Sequence, residues 1–189
     1  TKQLNEDIRI LNDISKKNPN VSLRVDFNRL CNVDDAIFIC NALKKCNIEY
    51  IEEPLEKPLK EDYVKLKRAI NFPIALDESI IDRNYKKLID SNLIDYAILK
   101  PALFGGIKEI NKLYKYLISK KVHLIFSSSL QTQIGNISEI QIASALELDS
   151  QHGLNNYAFF DNKYKALYDT NSQHVNLEKV IGLGACWDD

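Results

Sequence analysis

The chain has 189 residues, of which 45% are hydrophobic and 27% charged, enough for one domain with its own core and unlike the composition of disordered chains. Its 25 basic and 26 acidic residues leave a formal net charge of −1 without a basic stripe, so nucleic acid is not an expected partner. No apolar run approaches the roughly 20 residues of a membrane span, and neither a signal-peptide pattern nor C-x-x-C spacing is visible, so a membrane is not expected and a cytoplasmic setting is.

Leu4, Ile8, Leu11 and Ile14 recur at helical spacing and Asn18-Pro19 closes the segment, which predicts an amphipathic helix. VSLRVDFN (21–28) then reads as a strand and VDDAIFICNALKKC (33–46) as a helix, with Asp34 and Asp35 at its start and lysines at its end, as the macrodipole favours. The unit returns as strand IEYIEE (48–53) with a helix near 60–70, and as strand PIALDE (73–78) with a helix near 84–91. Strand DYAILK (95–100) precedes helix 107–121, strand VHLIFSS (122–128) precedes helix 136–148, and NNYAFF (155–160) is a candidate sixth strand. Cys31, Cys40, Cys46 and Cys186 read as small buried residues.

Strands alternating with helices at this spacing pair in parallel through crossovers. The strand-end residues Asp26, Glu52, Asp77, Lys100 and Ser127 lie 26, 25, 23 and 27 positions apart, so a structural unit repeats without its sequence repeating. An open doubly wound sheet would carry a glycine-rich phosphate loop, and the Gly105-Gly106 pair lacks the G-x-G-x-x-G pattern. The expected fold is therefore α/β, a TIM-type (β/α) barrel with its chemistry at the carboxyl ends of the strands. The barrel is expected to be partial, because eight strands are needed. The sequence also contains no methionine and opens inside a helical pattern. Residues 1–189 are accordingly expected to be one truncated barrel domain, with its first strands upstream of Thr1.

Three carboxylates on neighbouring strand ends repel one another unless a cation lies between them. Asp26, Glu52 and Asp77 supply hard oxygen donors that suit Mg2+ better than zinc, which prefers His and Cys. Lys100, at the next strand end, could give up a proton or hold a negative intermediate. Ser127, Ser128 and Ser129 offer hydroxyls and amides for a carboxylate or phosphate, or equally for capping a turn. His123 is expected within a strand, His174 in a late loop and His152 near the strand ends, none with the spacing of a ligand set or a triad.

The segments RVDFN (24–28), YIEEPL (50–55), IALDES (74–79), LKPALFGGI (99–107), SSSLQTQIG (127–135) and HGLNNYAFF (152–160), taken in order, resemble the enolase superfamily. Within it they look most like the muconate-lactonizing subgroup and its o-succinylbenzoate synthases, over roughly residues 1–185. The resemblance implies an enolase C-terminal-domain-like barrel in which Asp26, Glu52 and Asp77 bind Mg2+ and Asn28 supports them. It implies that Lys100 is one of two lysines facing each other across a small carboxylate substrate, and that Ser127 to Ser129, Ser128 first, hold the substrate's side-chain carboxylate. The implied reaction is removal of a proton alpha to a carboxylate followed by dehydration, giving the o-succinylbenzoate of menaquinone synthesis.

The family's K-x-K base and its capping domain are expected outside these residues, so the chain alone is expected to be inactive. A dipeptide or N-acylamino acid epimerase or racemase would use the same ligands with both lysines as acid and base. A non-catalytic barrel that has lost the base is the alternative of a different class.

Overall fold

The computed structural model describes residues 2–155, 175, 177–179 and 182. The expected residues 156–160, His174 and Cys186 lie outside them. Five strands, Leu23–Asp26 (β1), Ile48–Glu52 (β2), Ile74–Leu76 (β3), Tyr96–Leu99 (β4) and His123–Phe126 (β5), lie in one sheet in the order β1-β2-β3-β4-β5. Pairing is parallel from β1 to β4, as crossover connections require. The helices between them are Lys2–Lys17 (α1), Val33–Ala42 (α2), Lys60–Ala69 (α3), Glu78–Ile81 (α4), Lys86–Ile89 (α5), Ile107–Ser119 (α6) and Gln133–Ala145 (α7).

The described residues divide into two compact units, one up to Ala97 with Ser119–His123 and the other Ile98–Ile118 with those from Leu124 on. In the first, Ile51, Ile74 and Leu76 of the strands and Leu66 and Leu88 of the helices are fully buried. Local chemistry starts and stops these helices. The Asn32 side chain accepts from the Asp35 amide at 2.9 Å and donates to the Asp35 carboxylate at 2.7 Å, capping α2. Glu61 and Asp62 open α3 and Lys67 and Arg68 close it, in keeping with its dipole. The helix expected near 84–91 is the shorter α5, and an unexpected one-turn helix, α4, precedes it; Arg83, with a left-handed φ of 61°, turns the chain between the two.

Residues of alternating parity on β1 and β2 share one sheet face. Two positions before the strand-end acids, the Arg24 guanidinium lies 5.2 Å over the Tyr50 ring and pairs with Glu49 at 2.8 and 2.9 Å. Tyr50 meets Tyr96 at 4.9 Å between ring centroids, and Tyr96 stacks on His123 at 5.2 Å. In this cationic and aromatic row Tyr50 is buried, Arg24 and Tyr96 are half-buried and His123 is exposed.

In the second unit Leu99, Ile110, Leu117, Phe126 and Ile137 are buried, and the Tyr114 hydroxyl donates to the Leu146 carbonyl at 2.7 Å. Ser127 forms a parallel bridge with Gly153, whose amide donates to the Phe126 carbonyl. A further chain segment therefore runs beside β5, slightly before the expected sixth strand. Cys31, Cys40 and Cys46 are buried free thiols, and no helix among the described residues is long and apolar enough to cross a membrane.

Tyr63 in α3 is fully buried, and its hydroxyl has no hydrogen-bond partner among the described residues. Burial pushes its phenol well above the usual range. Removing an unsatisfied buried hydroxyl regains a desolvation cost of about 1 kcal/mol or more. The expected outcome for Tyr63→Phe in the full-length protein is an unfolding midpoint equal to or higher than that of the wild type, read by calorimetry; a clear fall would show that the hydroxyl has a stabilising partner.

Candidate functional site

Asp26 ends β1 and Glu52 ends β2, and the two are register partners. Glu52 is also paired with Ala75, two residues before Asp77. Since side chains alternate along a strand, 26, 52 and 77 share one face. The three differ in exposure, with Asp26 open to solvent, Glu52 half-buried and Asp77 4% exposed. The Asn28 amide donates to Asp26 Oδ1 at 2.8 Å across a turn in which Asn28 has φ 48° and Arg29 φ 57°.

No three Asp, Glu, His or Cys side chains among the described residues stand close enough together to hold a metal ion. The donor set nonetheless fits a hard divalent cation, being all carboxylate with no thiolate or imidazole. Neighbouring strands lie about 4.8 Å apart, so Asp26 and Glu52 can meet over one ion through side-chain rotation, and Asp77 follows on the next strand.

Sequence reasoning singled out Glu52 and passed over its neighbour. Glu53 is fully buried, and both its oxygens are engaged. Oε1 accepts from the amides of Asp77 at 2.8 Å and Ser79 at 2.7 Å. Oε2 accepts from Ser79 Oγ at 3.0 Å and Arg29 Nε at 3.2 Å. Arg29 also donates to Ser79 Oγ at 3.0 Å and to Asp82 at 2.8 Å. Burial nevertheless holds the Glu53 carboxyl above its ordinary range, against the pull of the Ser79 and Asp77 amides and of Arg29. The doublet offered a partial signal, because adjacent acids along an extended chain face opposite sides.

In the second unit, Lys100 is half-buried at the end of β4, and Pro101–Leu103 follows as one 3-10 turn. Ser127, Ser128 and Ser129 are also half-buried. Gln131 organises them: its Oε1 accepts from Ser128 Oγ at 2.8 Å, the Ser129 amide at 2.7 Å and Ser129 Oγ at 3.3 Å. The Ser127 amide donates to the Leu99 carbonyl, and the Ser128 amide to that of Gly153. His152 packs on Phe126 and accepts from the Phe126 amide through Nδ1 at 3.1 Å, a packing role.

Glu139 on α7 was not foreseen either. It is 3% exposed and neither carboxylate oxygen has a close hydrogen-bond partner among the described residues. Burial pushes its carboxyl up to about 7, opposed by the backbone amide of Ala102 in the turn after Lys100. The α7 helix packs on that turn.

The family model described as "Enolase C-terminal domain-like" matches residues 1–189. An o-succinylbenzoate synthase from Thermobifida fusca is 26% identical over 129 residues, 68% of this chain and 39% of that protein. An L-Ala-D/L-Glu epimerase from Francisella tularensis subsp. novicida is 26% identical over 145 residues, 75% of this chain and 41% of that protein. The solved dipeptide epimerase from Enterococcus faecalis V583 superposes with a TM-score of 0.73 at 22% identity, covering 80% of this chain and 45% of that one. The likeness establishes the fold class as α/β, part of a (β/α) barrel. The chain spans less than half the length of these relatives.

The Glu139 carboxyl carries a pH dependence of defined sign. Its folded form keeps a proton that the unfolded chain releases near the ordinary carboxylate range, so the folded state is favoured at low pH and loses stability as pH rises towards about 7. The loss is of the order of 3 kcal/mol. Glu139→Gln in the full-length protein is expected to flatten the fall in unfolding midpoint between pH 5 and pH 8; equal slopes in variant and wild type would contradict this.

Proposed function

The chain belongs to the enolase C-terminal-domain-like family, and from that premise we propose that it forms part of a Mg2+-dependent enzyme that removes a proton alpha to a carboxylate and then dehydrates its substrate to o-succinylbenzoate. The observation that carries this reading is the succession of Asp26, Glu52 and Asp77 on one face at three consecutive strand ends, with Lys100 ending the next strand.

Mg2+ held by the three carboxylates would neutralise the charge that builds on the substrate carboxylate as the alpha proton leaves. The remaining work belongs to protein side chains. By the family resemblance, Lys100 would supply an ammonium to the dianion formed on deprotonation, lowering the barrier electrostatically. The proton passes to a lysine of the family's K-x-K strand, which is not among β1 to β5. In the dehydration, the electron pair left at the alpha carbon forms the new double bond as the C–O bond breaks, and the departing oxygen leaves as water by taking the proton that the K-x-K lysine had removed. Ser128 and Ser129, whose hydroxyls donate to Gln131 Oε1 in the turn after β5, would turn those protons from Gln131 to the substrate's second carboxylate.

A second reading as a dipeptide or N-acylamino acid epimerase is favoured by the epimerase relative, which aligns with a larger share of the chain at equal identity. In that case Lys100 would exchange a proton with the alpha carbon itself.

The test is turnover of the cyclohexadiene carboxylate substrate by the full-length protein with Mg2+, with and without a chelator. Asp77→Asn and Lys100→Ala are each expected to lower kcat/KM at least about a thousandfold, some 4 kcal/mol of transition-state stabilisation, and chelation is expected to abolish turnover reversibly. Exchange of the alpha proton of L-Ala-L-Glu with solvent deuterium, in place of dehydration, would move the assignment to the epimerase. Metal-independent turnover would overturn both.

A further inference from the structure

We propose that Glu53 is a positioning residue: through the amides of Asp77 and Ser79 it sets where the Asp77 carboxylate stands relative to those of Asp26 and Glu52, with Arg29 holding Glu53 in its turn. The inference rests on the reading that these three carboxylates bind a divalent cation.

Every part of Glu53 is committed to the strand ends. Its amide donates to the Ala75 carbonyl at 3.0 Å, and its carbonyl accepts from the Arg29 amide at 2.9 Å. Its side chain accepts the Asp77 and Ser79 amides, the Ser79 hydroxyl and the Arg29 guanidinium. Two donors on each oxygen fill the acceptor sites of a carboxylate. One buried group therefore joins the turn after β1, which carries Asp26 and Asn28, to the turn after β3, which carries Asp77.

The bonds fall where they control Asp77 most directly. One is to the Asp77 amide itself and the other two are to Ser79, so the backbone on both sides of Asp77 is tied to the same carboxylate. Asp77 has φ −119° and ψ −81°, outside the regular helical and extended regions, at the start of a helix of one turn. A helix that short has little intrinsic stability to hold this geometry. The left-handed φ of 39° at Glu53 turns the chain as Glu52 and Glu53 take opposite faces, the first towards the sheet face of Asp26 and the second inward. A purely structural cap would lower stability without changing cation affinity, and that difference separates the two roles.

The experiment measures Mn2+ affinity of the full-length protein by calorimetry or by the electron paramagnetic resonance signal of free Mn2+, with folding checked by circular dichroism. Partners that orient metal ligands cost about 10- to 100-fold in affinity when removed. Glu53→Ala is expected to weaken Mn2+ binding at least about tenfold, and Glu53→Gln, which keeps an acceptor for the amides but loses the ion pair with Arg29, at least about fivefold. Amide hydrogen exchange at Asp77 and Ser79 should quicken in both variants, metal present or not. If Glu53→Ala does not fold, Glu53→Gln carries the test. Folded variants that bind Mn2+ within about twofold of the wild type, while Glu52→Gln abolishes binding, would overturn the positioning role and leave the cation site standing. A wild type that binds no Mn2+ would overturn both.

Discussion

A carboxylate buried beside a strand end has to be satisfied, and Glu53 imposes that requirement on three separate segments. The E-E-P sequence sends Glu52 to one side of β2 and Glu53 to the other, where solvent cannot reach it. An uncompensated buried charge costs several kcal/mol. The chain answers with two backbone amides, a serine hydroxyl and an arginine. That answer explains why Ser79 is fully buried, why Arg29 leaves the first turn in a left-handed conformation to reach inward, and why α4 begins where it does. The same contacts determine how Asp77 leaves its strand, so the local stability of the first unit and the presentation of its acids have one physical origin.

The first unit separates apolar and polar work by strand parity. One face of the strands packs against the helices, and the other carries the Arg24, Tyr50, Tyr96 and His123 layer with the acids two residues further on. In the second unit a single amide side chain plays an ordering role of another kind, since Gln131 gathers three donors from consecutive serines and fixes the turn after β5. Each candidate segment is thus held by the side chain of a nearby residue, Glu53 in the first unit and Gln131 in the second.

Strand positions were legible because their landmarks recur at nearly constant spacing, and Asp26, Glu52 and Lys100 do stand at or just beyond strand ends as that spacing implied. The helix expected near 84–91 is present only as the single turn α5, Lys86–Ile89, and α4, which precedes it beyond the left-handed Arg83, was not read from the sequence. The α7 helix starts at Gln133, three residues before the expected 136, after Thr132, which makes no side-chain cap bond, and the 3-10 turn at Pro101–Leu103 opens on a proline. Glu53 and Glu139 were passed over for one shared reason. Periodicity assigns an acid to the solvent by default, and its burial depends on donors that come from distant parts of the chain. Arg29 sits next to Asn28 in sequence, yet its meaning emerges only when Glu53 and Ser79 are brought beside it.

The claim on which the functional reading turns is that Asp26, Glu52 and Asp77 converge on one divalent cation. Crystals of the full-length protein grown with Mn2+, examined for anomalous scattering, test it most directly. The account predicts one peak touching an oxygen of all three carboxylates at about 2.0–2.3 Å, in octahedral coordination completed by water or substrate. Ordered carboxylates with no peak among them, or a peak bound by other residues, would contradict it.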